Sequence, residues 1–256
     1  MSGPTFSGRL LLAVVLIGAS AVLRAADPEP LRIHVLSGSK EYKSETSLKG
    51  FIADLEERYH VLCSASWGTD KGTSLDNLES LKKADLMVVF CRRLKLPEEQ
   101  MAIIRSHYEG GKPVIGIRTA SHPFQEQDNA HFDRVVLGNH YDGHYVNEKF
   151  EVTPAAAGKE HPVLAGVQPF QSHRLYKAKE LAPSAVVLQT GDIGKGAHPL
   201  TIVNTYKDGR MFYTSLGMPE DFEVPAFRQL LRNAVFWTTR TSEREFAKTA
   251  GAPSGR

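Results

Sequence analysis

Over the first 120 residues, short apolar runs alternate with amphipathic stretches. "LRIHVLSGS" (31–39) is an apolar run closing in Ser and Gly, the pattern of a buried strand and its loop. In "SETSLKGFIADLEERY" (44–59), Leu48, Phe51, Ile52 and Leu55 recur at helical spacing, and Ser44 is placed to cap the helix. The run "HVLCSA" reads as a second strand, "SLDNLESLKKA" as a short helix and "DLMVVFC" as a third strand. A Pro-started helix, "LPEEQMAIIRSHYEGG", then ends in Gly-Gly before a fourth strand, "KPVIGI". Strands alternating with helices at this spacing predict an α/β fold. Its sheet is open, mostly parallel and flavodoxin-like, with helices on both faces.

The texture changes after residue 120. "SHPFQEQDNAHFDRVVLGNHYDGHY" is polar and rich in turn formers, and reads as an inserted loop. "SAVVLQT" and "PLTIVNTYKDGRMFYTSL" follow as strands, with "KDG" marking a hairpin turn, and "PAFRQLLRNAVFWTTR" reads as a closing helix. One domain over 31–240 accounts for this pattern, with 241–256 as a frayed polar tail. Ahead of it, "MSGPTFSGR" and the apolar run "LLLAVVLIGASAVL" have the layout of a secretory signal peptide over 1–26. The run is short for a membrane span, so an uncleaved anchor is the secondary reading. Export to the periplasm or beyond is expected, with no membrane association after cleavage.

Composition narrows the function classes. The 256 residues carry 31 basic and 29 acidic side chains, a net +2, with no dense basic block, so nucleic acid is not an expected partner. The two cysteines, Cys63 and Cys91, sit at the ends of strand-like runs and read as buried thiols rather than a disulfide scaffold. No Gly-x-Gly-x-x-Gly follows the first strand, so a dinucleotide cofactor is not indicated, and no Gly-x-Ser-x-Gly elbow supports a serine nucleophile.

In open α/β sheets, ligands sit outside the carboxyl ends of the strands. Five loops are candidates: "SGSKEYKSE", "CRRLKLP", "RTASHPF", the His-rich loop and "SLGMPEDF". In "GKPVIGIRTASH" (111–122), Arg118 occupies the strand-to-helix turn, where a guanidinium beside free backbone N–H groups suits an anion or paired hydroxyls. The alternative is that Arg118 pairs internally with Glu41, Glu45 or Glu220. Glu41 is placed to act as a general base, whereas Glu45 reads as an ordinary first-turn acid. His122 and His144 are candidates for proton transfer. Ser37, Tyr42, Arg92, Thr119, His140, Tyr145 and Glu220 are candidates for substrate contact. His140 and His144, four apart, are candidate ligands for a divalent metal such as Zn, although the glycines around them disfavour a helix there; no cofactor is otherwise indicated.

Two of these loops carry a resemblance. "PVIGIRTA" is similar to the nucleophile elbow of the class I glutamine amidotransferase fold, with Arg118 in the Cys place. "LGMPE" is similar to its late His-Pro-Glu motif, with Met218 in the His place and Glu220 retained. Loss of both thiol and imidazole excludes glutaminase chemistry. More narrowly, "EYKSE", "GKPVIGIRTASH", "LGNHYDGHY", "HPVLAGV", "GRMFYTSLG" and "FRQLLRNAVFW" fall in the order shown by the ThuA-like, trehalose-utilisation-associated family. The resemblance implies a small-molecule carbohydrate partner, such as an oxidised (keto) sugar or a glycoside. Members of that family commonly carry His after "SLG", where this chain has Met218. Three readings follow: an exported carbohydrate enzyme of isomerase or lyase type, a non-catalytic carbohydrate- or partner-binding module, and a metal-dependent hydrolase. Oligomeric state is left open.

Overall fold

The computed structural model describes residue 3 and residues 29–146 and 148–248; the signal-peptide segment 1–26, apart from Gly3, lies outside them. Its centre is five parallel strands: β1 (Leu31–Gly38), β2 (Val61–Trp67), β3 (Leu86–Cys91), β4 (Val114–Ile117) and, late in the chain, β11 (Gly209–Thr214). They lie in the order β2-β1-β3-β4-β11, the flavodoxin-like order, and each neighbouring pair is parallel. β10 (His198–Tyr206), β9 (Val186–Gly191), β6 (Lys149–Pro154) and β7 (Phe170–His173) extend this sheet antiparallel to nine strands. A separate ribbon pairs β5 (Tyr141–His144) with β8 (Tyr176–Ala178).

Alternation along the strands divides the core. Ile33, Val35, Val88, Phe90 and Ile117 face α1 (Ser44–Arg58) and α4 (Pro225–Thr238), packing on Leu48, Phe51, Phe227 and Leu231. Met87, Val89, Cys91 and Val114 face the other side, against Met101, Ile104 and Tyr108 of α2 (Glu98–Glu109). β3 is buried at every position, as a strand covered on both faces must be. Cys63 and Cys91 are unpaired, and burial pushes both thiols up, Cys63 to about 12.

Three local expectations change. The segment read as a short helix around Leu78 is a 3-10 run, Leu78–Lys83, entered through Asn77 with φ of 47°. The polar stretch after residue 120 is not all loop: α3 (Glu126–His131) continues into a π-helical turn, Phe132–Val136, which buries Phe132 and Val136 in the α2-side core. Residues 241–248 are not a frayed tail. α5 (Glu243–Phe246) docks Phe246, 6% exposed, against Phe236, and the Tyr59 hydroxyl donates to Glu243.

Candidate functional site

β4 ends in Ile117, and the chain turns sharply at Arg118, whose φ of 46° is left-handed, a conformation costly for a residue with a side chain. The elbow is thus built although no nucleophile stands on it. Gly217, at φ of 122°, lets the late loop lie against it; a Cβ there would come 2.7 Å from Ile117 Cγ2.

The Arg118 side chain turns inward and is 1% exposed. Its guanidinium lies between two rings, 4.6 Å from the Tyr42 centroid and 4.4 Å from that of Tyr176. Nη1 donates to the Ser215 carbonyl at 2.6 Å and Nη2 to the Arg174 carbonyl at 3.2 Å. Nε has no hydrogen-bond partner among the described residues, nor have the neighbouring Thr119 Oγ1 and Ser215 Oγ. None of Glu41, Glu45 and Glu220 forms an ion pair with Arg118 among the described residues, so internal pairing with them is not its role.

Above Arg118 lies a mouth of charged groups. Glu41, on the 3-10 turn Lys40–Tyr42, bridges Arg92 and Arg174 at 3.3 Å each, and Arg92 also meets Asp70 at 3.5 Å. Tyr42 lies beside Arg174 and Tyr176, and burial pushes the Tyr176 phenol well above its ordinary range. The ribbon brings Tyr141 and His144 to this mouth. His122 stacks on Tyr141 with centroids 4.6 Å apart and shares a hydrogen bond with Ser121 Oγ at 3.0 Å. Burial, then the charges of Arg93, Arg92 and Arg118, lower His122 to about 3, so its ring is neutral and a poor proton donor at pH 7. His144 is exposed, 3.3 Å from the Tyr141 hydroxyl, and is also held below its usual value, first by partial burial and then by Arg118 and Arg174.

Arg118, His122, Glu41, His144, Tyr42, Arg92 and Thr119 therefore converge on one place. The other candidates do not. Ser37 is buried and bonded to Ser44 Oγ at 2.8 Å, supporting the first loop. Tyr145 meets His198 at 3.4 Å, and its ring receives Lys177 and Lys195 rather than Arg118. His140 lies just before the ribbon, where its carbonyl accepts from Lys179 N. Among the described residues no three His, Cys, Asp or Glu side chains converge as metal ligands, those around His140 and His144 included. Glu220 is exposed and lines a neighbouring cleft of about 360 Å³ with Lys43, Phe51 and Arg228.

The acid that matters in the late motif is Asp221, which sequence reasoning passed over. Its buried carboxylate accepts from Gly217 N at 2.8 Å, Met218 N at 2.9 Å and Ser172 Oγ at 3.1 Å, fixing the loop against the elbow. Its position three residues after Met218, at the third residue of a helical turn, was the available signal. Arg174 and Tyr176 were missed too, and no local signal marks them.

Comparison with known proteins agrees with this architecture. A family model, ThuA, described as trehalose utilisation, matches residues 32–238. Among solved structures, the chain is similar to a protein described as ThuA-like from Bacteroides uniformis, with a TM-score of 0.63 and 16% identity over 86% of this chain and 95% of that one. A second, from Parabacteroides merdae, has a TM-score of 0.60 and 16% identity over 82% and 90%. A GMP synthase component from Thermoplasma acidophilum has a TM-score of 0.51 and 11% identity over 80% and 92%, a likeness of fold alone. No curated protein matches the sequence.

Proposed function

The chain belongs to the ThuA family, and from that premise we propose that it binds carbohydrate at the mouth above Arg118. The observation that carries this reading is the convergence of Tyr141, His144, Glu41, Arg92 and Arg174 on one strand-end site. Hydroxyl-rich rings are held by such a set: forked donors and carboxylate acceptors for the hydroxyls, an aromatic face for the C–H edges. Saturation-transfer NMR with glucose and trehalose is the test. Sugar C–H signals should appear with the parent protein and be lost in Tyr141→Ala. A parent that binds no carbohydrate would overturn the reading.

Turnover is the second reading, and His144 favours it. It is the exposed imidazole of the site, neutral at pH 7, and thus available to take a proton next to a sugar carbonyl. Glu41 is less suited, because two guanidinium groups hold its carboxylate. Fructose incubated in D2O should then gain deuterium beside its carbonyl, and His144→Ala should not support the exchange. Export through the N-terminal apolar run remains part of the proposal, on its signal-like layout.

A further inference from the structure

Arg118 is a buried cation whose hydrogen bonds, among the described residues, reach only carbonyl oxygens and whose flat faces meet tyrosine rings. A charge taken out of water normally finds a counter-charge, since carbonyl dipoles offset only part of the lost hydration. The surroundings add to the imbalance. Four guanidinium groups gather here: Arg92, Arg93, Arg118 and Arg174. Three carboxylates face them. Glu41 is shared between two arginines, Asp70 lies 3.5 Å from Arg92, and Asp221 acts on Arg118 through space while three donors share its Oδ2. Arg93, exposed at the rim, makes no ion pair among the described residues; Lys177 adds a further positive charge near His144.

The Glu41 bridges are also loose. At 3.3 Å each, with one oxygen to each arginine, they fall outside the range of about 2.7–2.9 Å of a strong charge-assisted bond. Arg92 meets Glu41 through Nη2 and Asp70 through Nη1, and its guanidinium carries five N–H groups in all.

Resting on the carbohydrate reading above, we propose that the sugar taken at this mouth carries an acidic group, a carboxylate or a phosphate ester, held by the rim arginines over the buried charge of Arg118. The acidic group would sit on Arg93, Arg92 and Arg174, with Arg118 contributing its field from below. Glu41 then competes with the ligand for the same two forks.

Calorimetry at pH 7 in 20 mM and 300 mM NaCl would compare glucose with gluconate, glucuronate and glucose 6-phosphate, with inorganic phosphate alone as control. At least one acidic sugar should bind tenfold or more tighter than glucose, and the advantage should shrink in high salt. The carboxylate and phosphate probes separate the two sources of charge. Glu41→Gln should raise the acidic-to-neutral affinity ratio at least threefold, and Arg93→Gln should lower it. A gain of ratio cannot come from misfolding, so the Glu41 variant keeps the test decisive. Glucose binding as tightly as its acids would overturn the proposal and leave the carbohydrate reading standing. Phosphate alone binding as tightly as glucose 6-phosphate would overturn it as a bare anion site. Absence of binding by every sugar would overturn the carbohydrate reading, and this proposal with it.

Discussion

Asp221 shows how one carboxylate fixes the geometry of the late loop. Its Oδ2 accepts the N–H groups of Gly217 and Met218, which would otherwise be buried without acceptors, and it also takes the Ser172 hydroxyl. Burial raises its pKa, a shift the three donors oppose, so ionised Asp221 is costly but compensated. Asp221→Ala should cost about 2–4 kcal/mol of stability in urea titration, because each orphaned donor costs about 1–3 kcal/mol. Asp221→Asn keeps an accepting oxygen and should lose about 1 kcal/mol or less. Equal losses in the two variants would show that charge, not hydrogen bonding, holds the loop. Arg118 is the complementary case. Its type and place on the elbow were visible in "VIGIRTA", but its partners are the carbonyls of Ser215 and Arg174, 97 and 56 residues away along the chain. No pattern of residue types encodes a carbonyl as partner, which is why the internal alternative to ligand contact was framed as pairing with Glu41, Glu45 or Glu220.

At the scale of elements, the β10–β11 hairpin carries its own strain. Its two-residue turn places Lys207 at φ of 49° and Asp208 at φ of 65°, the two left-handed positions of a type I′ turn. Asn-Gly is the pair that adopts this turn at least cost. Lys207→Asn with Asp208→Gly should therefore stabilise the protein by about 1 kcal/mol, read as a rise in thermal midpoint. A fall would mean that the native side chains, rather than the backbone, hold the turn. Gly111 must remain, because a Cβ there would meet the Lys207 carbonyl at 2.2 Å. This hairpin was legible from "KDG" between two β-rich runs, as α1, α2 and the strands β1, β3 and β4 were from their periods. The ribbon was not. β5 is four residues, with Gly143 in its middle and a register irregularity against β8, so it shows no alternation to read. Its importance comes from tertiary packing on the elbow, where Tyr141 and Tyr176 stand 4.8 Å apart. The π-helical turn at Phe132–Val136 was likewise hidden, since its period departs from 3.6.

On the scale of the whole molecule, three histidines are buried uncharged, and they make the fold acid-sensitive. His34 lies inside the sheet, bonded to Ser64 at 2.7 Å and Ser66 at 2.9 Å, and burial lowers it to about 4. His107 on α2, bonded to the Pro113 carbonyl at 3.1 Å, is lowered to about 4 by burial, and His122 to about 3. Each binds a proton in the unfolded chain below pH 6.5 but not in the folded one until pH 4 or lower. The unfolded state therefore holds three more protons between these limits, and stability falls as pH falls. Asp133 opposes this, because burial raises it to about 6, so the folded state alone holds its proton from pH 6 down to 3.8. Asp221, raised by burial, acts in the same direction as Asp133. Asp54 is lowered below 3.8, and its contribution is lost only below that pH. The three buried histidines, joined by His144 and His161, which partial burial also lowers, outweigh Asp133 and Asp221 and leave a net uptake of protons on unfolding between pH 6 and 4. The loss by pH 4.5 is on the order of several kcal/mol, a large part of a typical domain's total. Urea midpoints should be level near pH 7.5, decline below 6.5 and fall steeply by 4.5. His34→Gln should flatten that decline by removing one of the three contributions, whereas a midpoint that holds or rises on acidification would reverse the assigned sign. The same neutrality matters at the site. His122, lowered to about 3, is uncharged near neutral pH, so the positive charge there belongs to the arginines. Binding of a sugar carboxylate should then change little between pH 7 and 8, because His144, also held below its usual value, is uncharged there as well.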